Sequence, residues 1–299
     1  MESVFRQLEI NTPSPIQRIT PDWANAREYA LYVKRDDLLH PIISGNKWRK
    51  LQPIVQQLQH ATSPTLASFG GGHSNHIHAL AYVCHRLNWP FHAIIRGNYE
   101  NNFTPMLNDI VQWGAHIHFI TKREYQHRHE PDYLARLKKH LDLDVIIPEG
   151  GSHAEHLVGM QTLADELTDP NDYLITPVAS GGTLAGLACA SSNIKHLIGI
   201  AVLKGKDYLE PLVAELIAQR EVKTPYAINH DFHFGGYAKA PLDLRQFCQA
   251  QSAHLNIPFE PVYSGKALYA MKSFVEGKAF PLGSRITLLH TGGLQGARG

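Results

Sequence analysis

Along the chain, short apolar runs alternate with longer stretches whose apolar residues recur every three or four positions. The short runs suit strands buried on both faces, and the longer stretches suit helices lying on a sheet. The pattern predicts strands at 31–34, 65–69, 91–95, 116–120, 144–147, 173–177, 196–201 and 285–289. Between them it predicts helices at 47–60, 74–87, 106–113, 133–141, 156–167, 183–190, 208–218 and 266–276. Such alternation implies βαβ units and an α/β fold with mostly parallel sheets. Four units fill residues 50 to 155, so this stretch reads as a lobe inserted into a larger α/β domain.

Composition narrows the class. Lysine and arginine number 28 against 27 acidic residues, so the chain lacks the basic excess that general polyanion binding needs. No apolar run approaches the ~18 residues of a membrane helix, and the start, MESVFRQLEI, has no basic-then-apolar leader pattern. A cytoplasmic protein with no membrane or nucleic-acid partner is expected. Cys84, Cys189 and Cys248 form no C-x-x-C pair, which argues against a disulfide framework. Nineteen histidines raise the question of a metal. His73 and His76 share a helical spacing, but His78 points elsewhere, and no acid or cysteine nearby completes a zinc set. No metal is expected.

Three glycine-bearing turns carry candidate chemistry. Ser44-Gly45-Asn46 delivers Lys47 to a helix start, where the dipole disfavours a nearby cation. A lysine made neutral in this way can attack a carbonyl, although a solvated lysine in a surface helix has the same sequence signature. Gly70-Gly71-Gly72-His73-Ser74-Asn75-His76 joins a strand to a helix, with Ser74 either a plain cap or part of an anion site for a substrate carboxylate. Ser180-Gly181-Gly182-Thr183 follows another strand, and its N–H groups and hydroxyls suit a single phosphate. It is neither a Walker loop nor a dinucleotide fingerprint. Tyr237 follows a Gly-Gly turn, and Tyr263-Ser264 stands at a helix entry; either tyrosine is also an ordinary half-buried residue. Together a Schiff-base lysine, a phosphate cradle and paired tyrosines are what pyridoxal phosphate chemistry asks for.

At these residues, from Lys34-Arg35-Asp36-Asp37 through Gly45-Asn46-Lys47 to His290-Thr291-Gly292-Gly293, the chain resembles a known family. It looks like the D-cysteine desulfhydrase and 1-aminocyclopropane-1-carboxylate deaminase group of fold-type II pyridoxal phosphate enzymes, in the tryptophan synthase β superfamily. The resemblance implies two three-layer α/β/α domains with the cofactor in the cleft between them. Residues 1–49 and 158–299 would form the larger, cofactor-anchoring domain, and 50–157 the smaller, substrate-side one. Lys47 would carry the cofactor and move the Cα proton. Asn75 would bond the cofactor's ring oxygen; Ser74, with Asn75 and His76, would meet the substrate. Ser180, Gly181, Gly182 and Thr183 would hold the phosphate. Tyr237 and Tyr263 would line the substrate side, and Ser264 would face the pyridine nitrogen. Family members are commonly homodimers.

Ser264 also points within the family. The deaminases carry an acid there and the desulfhydrases a threonine, and a hydroxyl supports a neutral pyridine and a weaker electron sink. Ser74-Asn75-His76 likewise resembles the desulfhydrases, whereas deaminases have glutamine in the third place. His73 and Ala179 depart from the usual glutamine and glycine. The expected activity is therefore elimination from D-cysteine, giving pyruvate, ammonia and sulfide. A deaminase, a racemase and a non-catalytic cofactor-binding protein are the alternatives.

Overall fold

The computed structural model describes residues 2–151, 156–190, 192–205, 207–218, 220–236 and 238–294. The chain begins with α1 (Glu2–Gln7), β1 (Ile16–Arg18), β2 (Ala30–Lys34) and α2 (Asn46–Leu58). Four βα units follow in part as β3 (Leu66–Gly71), α3 (Asn75–Leu87), β4 (Phe91–Arg96), α4 (Pro105–Gln112) and β5 (His116–Ile120). Next come α5 (Pro131–His140), β6 (Val145–Ile147), α6 (His156–Asp165), β7 (Asn171–Val178) and α7 (Gly182–Cys189). The remainder is β8 (Ile194–Ala201), α8 (Leu209–Ile217), β9 (Tyr226–Asn229), α9 (Leu242–Leu255), α10 (Ser264–Glu276) and β10 (Arg285–Leu289).

The strands form two sheets, ordered β1-β2-β10-β7-β8-β9 and β5-β4-β3-β6. Every pairing is parallel except β1 with β2. Parallel strands need both faces covered, and both sheets are. On the smaller sheet, Phe91, Ala93 and Ile95 of β4 face Ile77, Leu80 and Val83 of α3 and Leu107 and Ile110 of α4. The intervening Ile94 meets Phe69 and Tyr125 on the other side, with Leu134 and Leu137 of α5 packed against them. On the larger sheet, Ile286 and Leu288 of β10 pack with Ala267 and Met271 of α10, while Leu174 and Leu197 pack with Met160, Leu184 and Val213. Each sheet is thus the middle of three layers, as expected.

A buried ionic cluster ties α2 to α6. Arg49 donates to both Asp36 carboxylate oxygens and to both oxygens of Glu166. Lys34 also donates to Glu166, and Ser14 to Asp36. Arg49, Lys34 and Asp36 are all but fully enclosed, so the four charges neutralise one another within the interior.

Candidate active site

Three glycine-bearing loops leave the C-terminal ends of parallel strands, which is where open α/β sheets bind ligands. The loop after β3 carries Ser74 and Asn75, the loop after β7 carries Ser180 to Thr183, and the loop after β10 carries Thr291 to Gly293. They converge on the turn before α2. Asn46 N donates to the Thr291 carbonyl at 3.3 Å, and Gly293 N to Ser44 Oγ at 3.4 Å. A Cβ on Gly293 would lie 2.9 Å from Asn75 Nδ2, which brings the β3 loop to the same place.

Lys47 lies in the first turn of α2. Its Nζ donates to Asn46 Oδ1 at 2.8 Å, and Asn46 Nδ2 donates to Thr183 Oγ1 at 3.0 Å. Asn46 therefore links the lysine to the glycine loop, a role that its place in a turn does not reveal in the sequence. Burial lowers the Lys47 pKa from 10.5 to about 8, against the opposing pull of the Glu260 carboxylate. The lowered value expected at this helix start is present, and its cause is burial. One turn on, Lys50 donates to the Gly150 carbonyl at 3.3 Å. Burial, followed by the Lys47 charge, lowers its pKa to about 7.

Ser74 caps α3 by accepting from Ile77 N at 3.2 Å, and its side chain remains half-buried. His73 is exposed, whereas His76 is 2% exposed and turned into the strand layer. There His76 Nε2 lies 2.8 Å from Ser68 Oγ, which donates its single proton to the Ile147 carbonyl. The Ser68 oxygen must then accept, so His76 carries its proton on Nε2. On the β7 loop Gly181 takes φ 77° as N-cap of α7, Thr183 is buried and Ser180 is exposed. The first N–H groups of α7 have no acceptor within the helix, which suits an anion.

Ser264 opens α10 and is wholly buried. Beside it is a residue the sequence reading missed, Glu260. Its carboxylate accepts from the backbone N–H groups of Val262 at 2.7 Å, Tyr263 at 2.8 Å and Ser264 at 2.6 Å, and from Ser264 Oγ at 3.1 Å. Burial raises the Glu260 pKa, and these hydrogen bonds oppose the rise. An acid four residues ahead of a helix start was the only signal in the sequence. Tyr263 stands half-buried at the same turn, and its N–H is one of those donors. Lys266 is buried in the first turn of α10, where Nζ donates to the carbonyls of Val202, His233 and Gly236. It fastens the helix to the loop that leads to Tyr237, which itself lies outside the described residues.

An amine with a lowered pKa, a helix N-terminus with a buried hydroxyl and a second buried hydroxyl at a helix start form one donor set. That chemistry fits an aldehyde cofactor bearing one phosphate and a basic ring nitrogen. The sequence profile of the family described as "Pyridoxal-phosphate dependent enzyme" matches residues 6–292. The chain belongs to that family. It is similar to the bifunctional D-cysteine desulfhydrase/1-aminocyclopropane-1-carboxylate deaminase of Arabidopsis thaliana, 30% identical over 95% of this chain and 77% of the relative. A D-cysteine desulfhydrase of Salmonella typhi is 28% identical over 97% of this chain and 94% of that one. Among solved structures, an ACC deaminase homologue superposes with a TM-score of 0.78 and 26% identity, covering 99% of this chain and 96% of its own. The α/β architecture and the pyridoxal phosphate requirement read from the sequence are thereby borne out, together with the recognition of the family.

Proposed function

We propose that this pyridoxal phosphate enzyme is a D-cysteine desulfhydrase-like lyase, eliminating the β-substituent of a small amino acid to give pyruvate, ammonia and, from D-cysteine, sulfide. The observation that carries the choice is the Ser74-Asn75-His76 turn, with a buried histidine in the place where the deaminases have glutamine. Similarity to the Salmonella desulfhydrase supports it.

When bound, the cofactor supplies a carbonyl for the substrate amine and a ring that withdraws electrons from Cα. Lys47 carries it, and at pH near 8 the same Nζ is poised between holding and releasing a proton, as removal of the Cα proton requires. Ser180, Gly181, Gly182 and Thr183 hold the phosphate at the α7 N-terminus. Asn75 bonds the ring oxygen. Ser74 and Asn75 orient the substrate carboxylate so that Cα–H faces Lys47, and such orientation is a large share of catalysis. Tyr237 and Tyr263 line the substrate side. His76 acts from behind, through its bond to Ser68, by fixing the first turn of α3.

The second reading is deamination of 1-aminocyclopropane-1-carboxylate to 2-oxobutyrate, which the buried Glu260 carboxylate beside Ser264 favours. We further propose a cytoplasmic homodimer, and a division into 1–49 with 158–299 and 50–157. Segregation of the strands into two sheets supports the division. A side-by-side assay of D-cysteine, L-cysteine, D-serine and the cyclopropane amino acid tests the function. Sulfide and pyruvate from D-cysteine are expected; rapid 2-oxobutyrate release without sulfide overturns the first reading in favour of the second.

A further inference from the structure

The Ser264 hydroxyl has one proton and two lone pairs. Glu260 N–H takes one lone pair at 3.0 Å. The proton has two acceptors within reach, Glu260 Oε1 at 3.1 Å and the Glu260 carbonyl at 3.3 Å. The carboxylate is nearer and charged, so it is the stronger of the two. Three backbone N–H groups point at the Glu260 carboxylate from the positive end of α10, and these contacts favour its anionic form against the burial that raises its pKa. Ser264 is left with one lone pair and nothing to donate. Any further partner of this hydroxyl has to be a donor.

We propose that Glu260 is a positioning residue that keeps the cofactor's ring nitrogen protonated, by fixing the Ser264 hydroxyl as an acceptor. The inference rests on the reading that Ser264 faces that nitrogen, and it reverses what the Ser264 side chain alone implied. A neutral pyridine nitrogen is only an acceptor, and would meet another acceptor. To donate to it, Ser264 would have to abandon its charge-assisted bond to Glu260. A protonated nitrogen supplies the missing donor, and the carboxylate one hydroxyl away balances its charge. A serine with a carboxylate behind it thereby does the work of an acid placed directly against the ring.

The test is 15N NMR of the holoprotein carrying pyridoxal phosphate labelled at the ring nitrogen, for wild type, Ser264→Ala and Glu260→Gln. A wild-type resonance at the upfield, protonated position that moves downfield to the neutral position in both variants is expected. A neutral wild type overturns the inference. So does a protonated Glu260→Gln beside a neutral Ser264→Ala, which leaves the placement of Ser264 standing. If Ser264→Ala stays protonated, Ser264 does not face the nitrogen and the underlying reading falls as well. Should Glu260→Gln fail to fold, since the carboxylate also caps α10, Glu260→Asp replaces it. That variant keeps the charge but withdraws it by one methylene from Ser264 Oγ, and its spectrum is read the same way.

Discussion

Replacing Gly45 by alanine should disable the site without touching a proposed catalytic group. Gly45 takes φ 64° and ψ −145°, close to a region that residues with a Cβ hardly visit, at about 1–3 kcal/mol each. Its added Cβ would lie 1.8 Å from the Thr291 carbonyl oxygen and 2.6 Å from Gly292 N. Ordinary contact requires roughly 1.5–2 Å of backbone separation there. Overpacking of this kind costs about 1–3 kcal/mol, so about 2–6 kcal/mol is expected in total, a large part of a typical domain's stability. The displaced atoms include Asn46 N, which binds Thr291, and with it the side chain that connects Lys47 to Thr183. Denaturant unfolding gives the stability change, and visible absorbance gives cofactor uptake. Gly114→Ala is the control: φ is 83° but no atom lies within 4 Å of the added Cβ, so strain alone should appear. If Gly45→Ala loses no more than Gly114→Ala and takes up cofactor normally, the close approach does not hold the site together.

Cofactor uptake by the stripped protein should accelerate as pH rises through about 8 and then level off, because the neutral fraction of Lys47 grows over that range. A rate still climbing beyond pH 10 would mean an ordinary lysine. Glu166→Gln leaves Arg49 and Lys34 short of a buried counter-charge, and should cost about 3–5 kcal/mol in denaturant unfolding. His92 donates to or accepts from His118 at 2.9 Å, and burial with the charges of His118 and His116 lowers its pKa to about 4. Below pH 6.5 the unfolded chain therefore binds a proton that the folded protein refuses until about pH 4, and stability falls across that window. Thermal melts of His92→Gln should show a weaker loss on the acid side.

Legibility followed local pattern. β10 and the core of β3, β4 and β7 were readable because buried parallel strands are continuous apolar runs. α9 was missed although it buries Leu244, Cys248, Gln251 and Leu255 at helical spacing. The third of these is polar because its Oε1 accepts from Trp23 Nε1 at 3.0 Å, and that partner lies far away in sequence. β1 and β9 are three and four residues long, too short to show a period. At the site, the glycine turns and Lys47 were visible because each is local. Glu260, Lys266 and the bridge through Asn46 were not, since their meaning depends on what the fold brings beside them. Three of the histidines are likewise explained by what the fold brings beside them: His76, His78 and His290 are buried and bonded to Ser68, Asp109 and the Pro258 carbonyl.

The cluster of Lys34, Asp36, Arg49 and Glu166 also constrains how this chain can diverge. Two positive and two negative groups share one interior, and Glu166 bonds both cations. Any single charge-removing substitution leaves an odd charge enclosed, so each one-step path out of this arrangement crosses a poorly folded variant. Paired replacements that remove one cation and one anion together avoid that valley. The four positions should therefore show strong epistasis in a double-mutant library, where an otherwise harmful change becomes tolerable only beside its opposite.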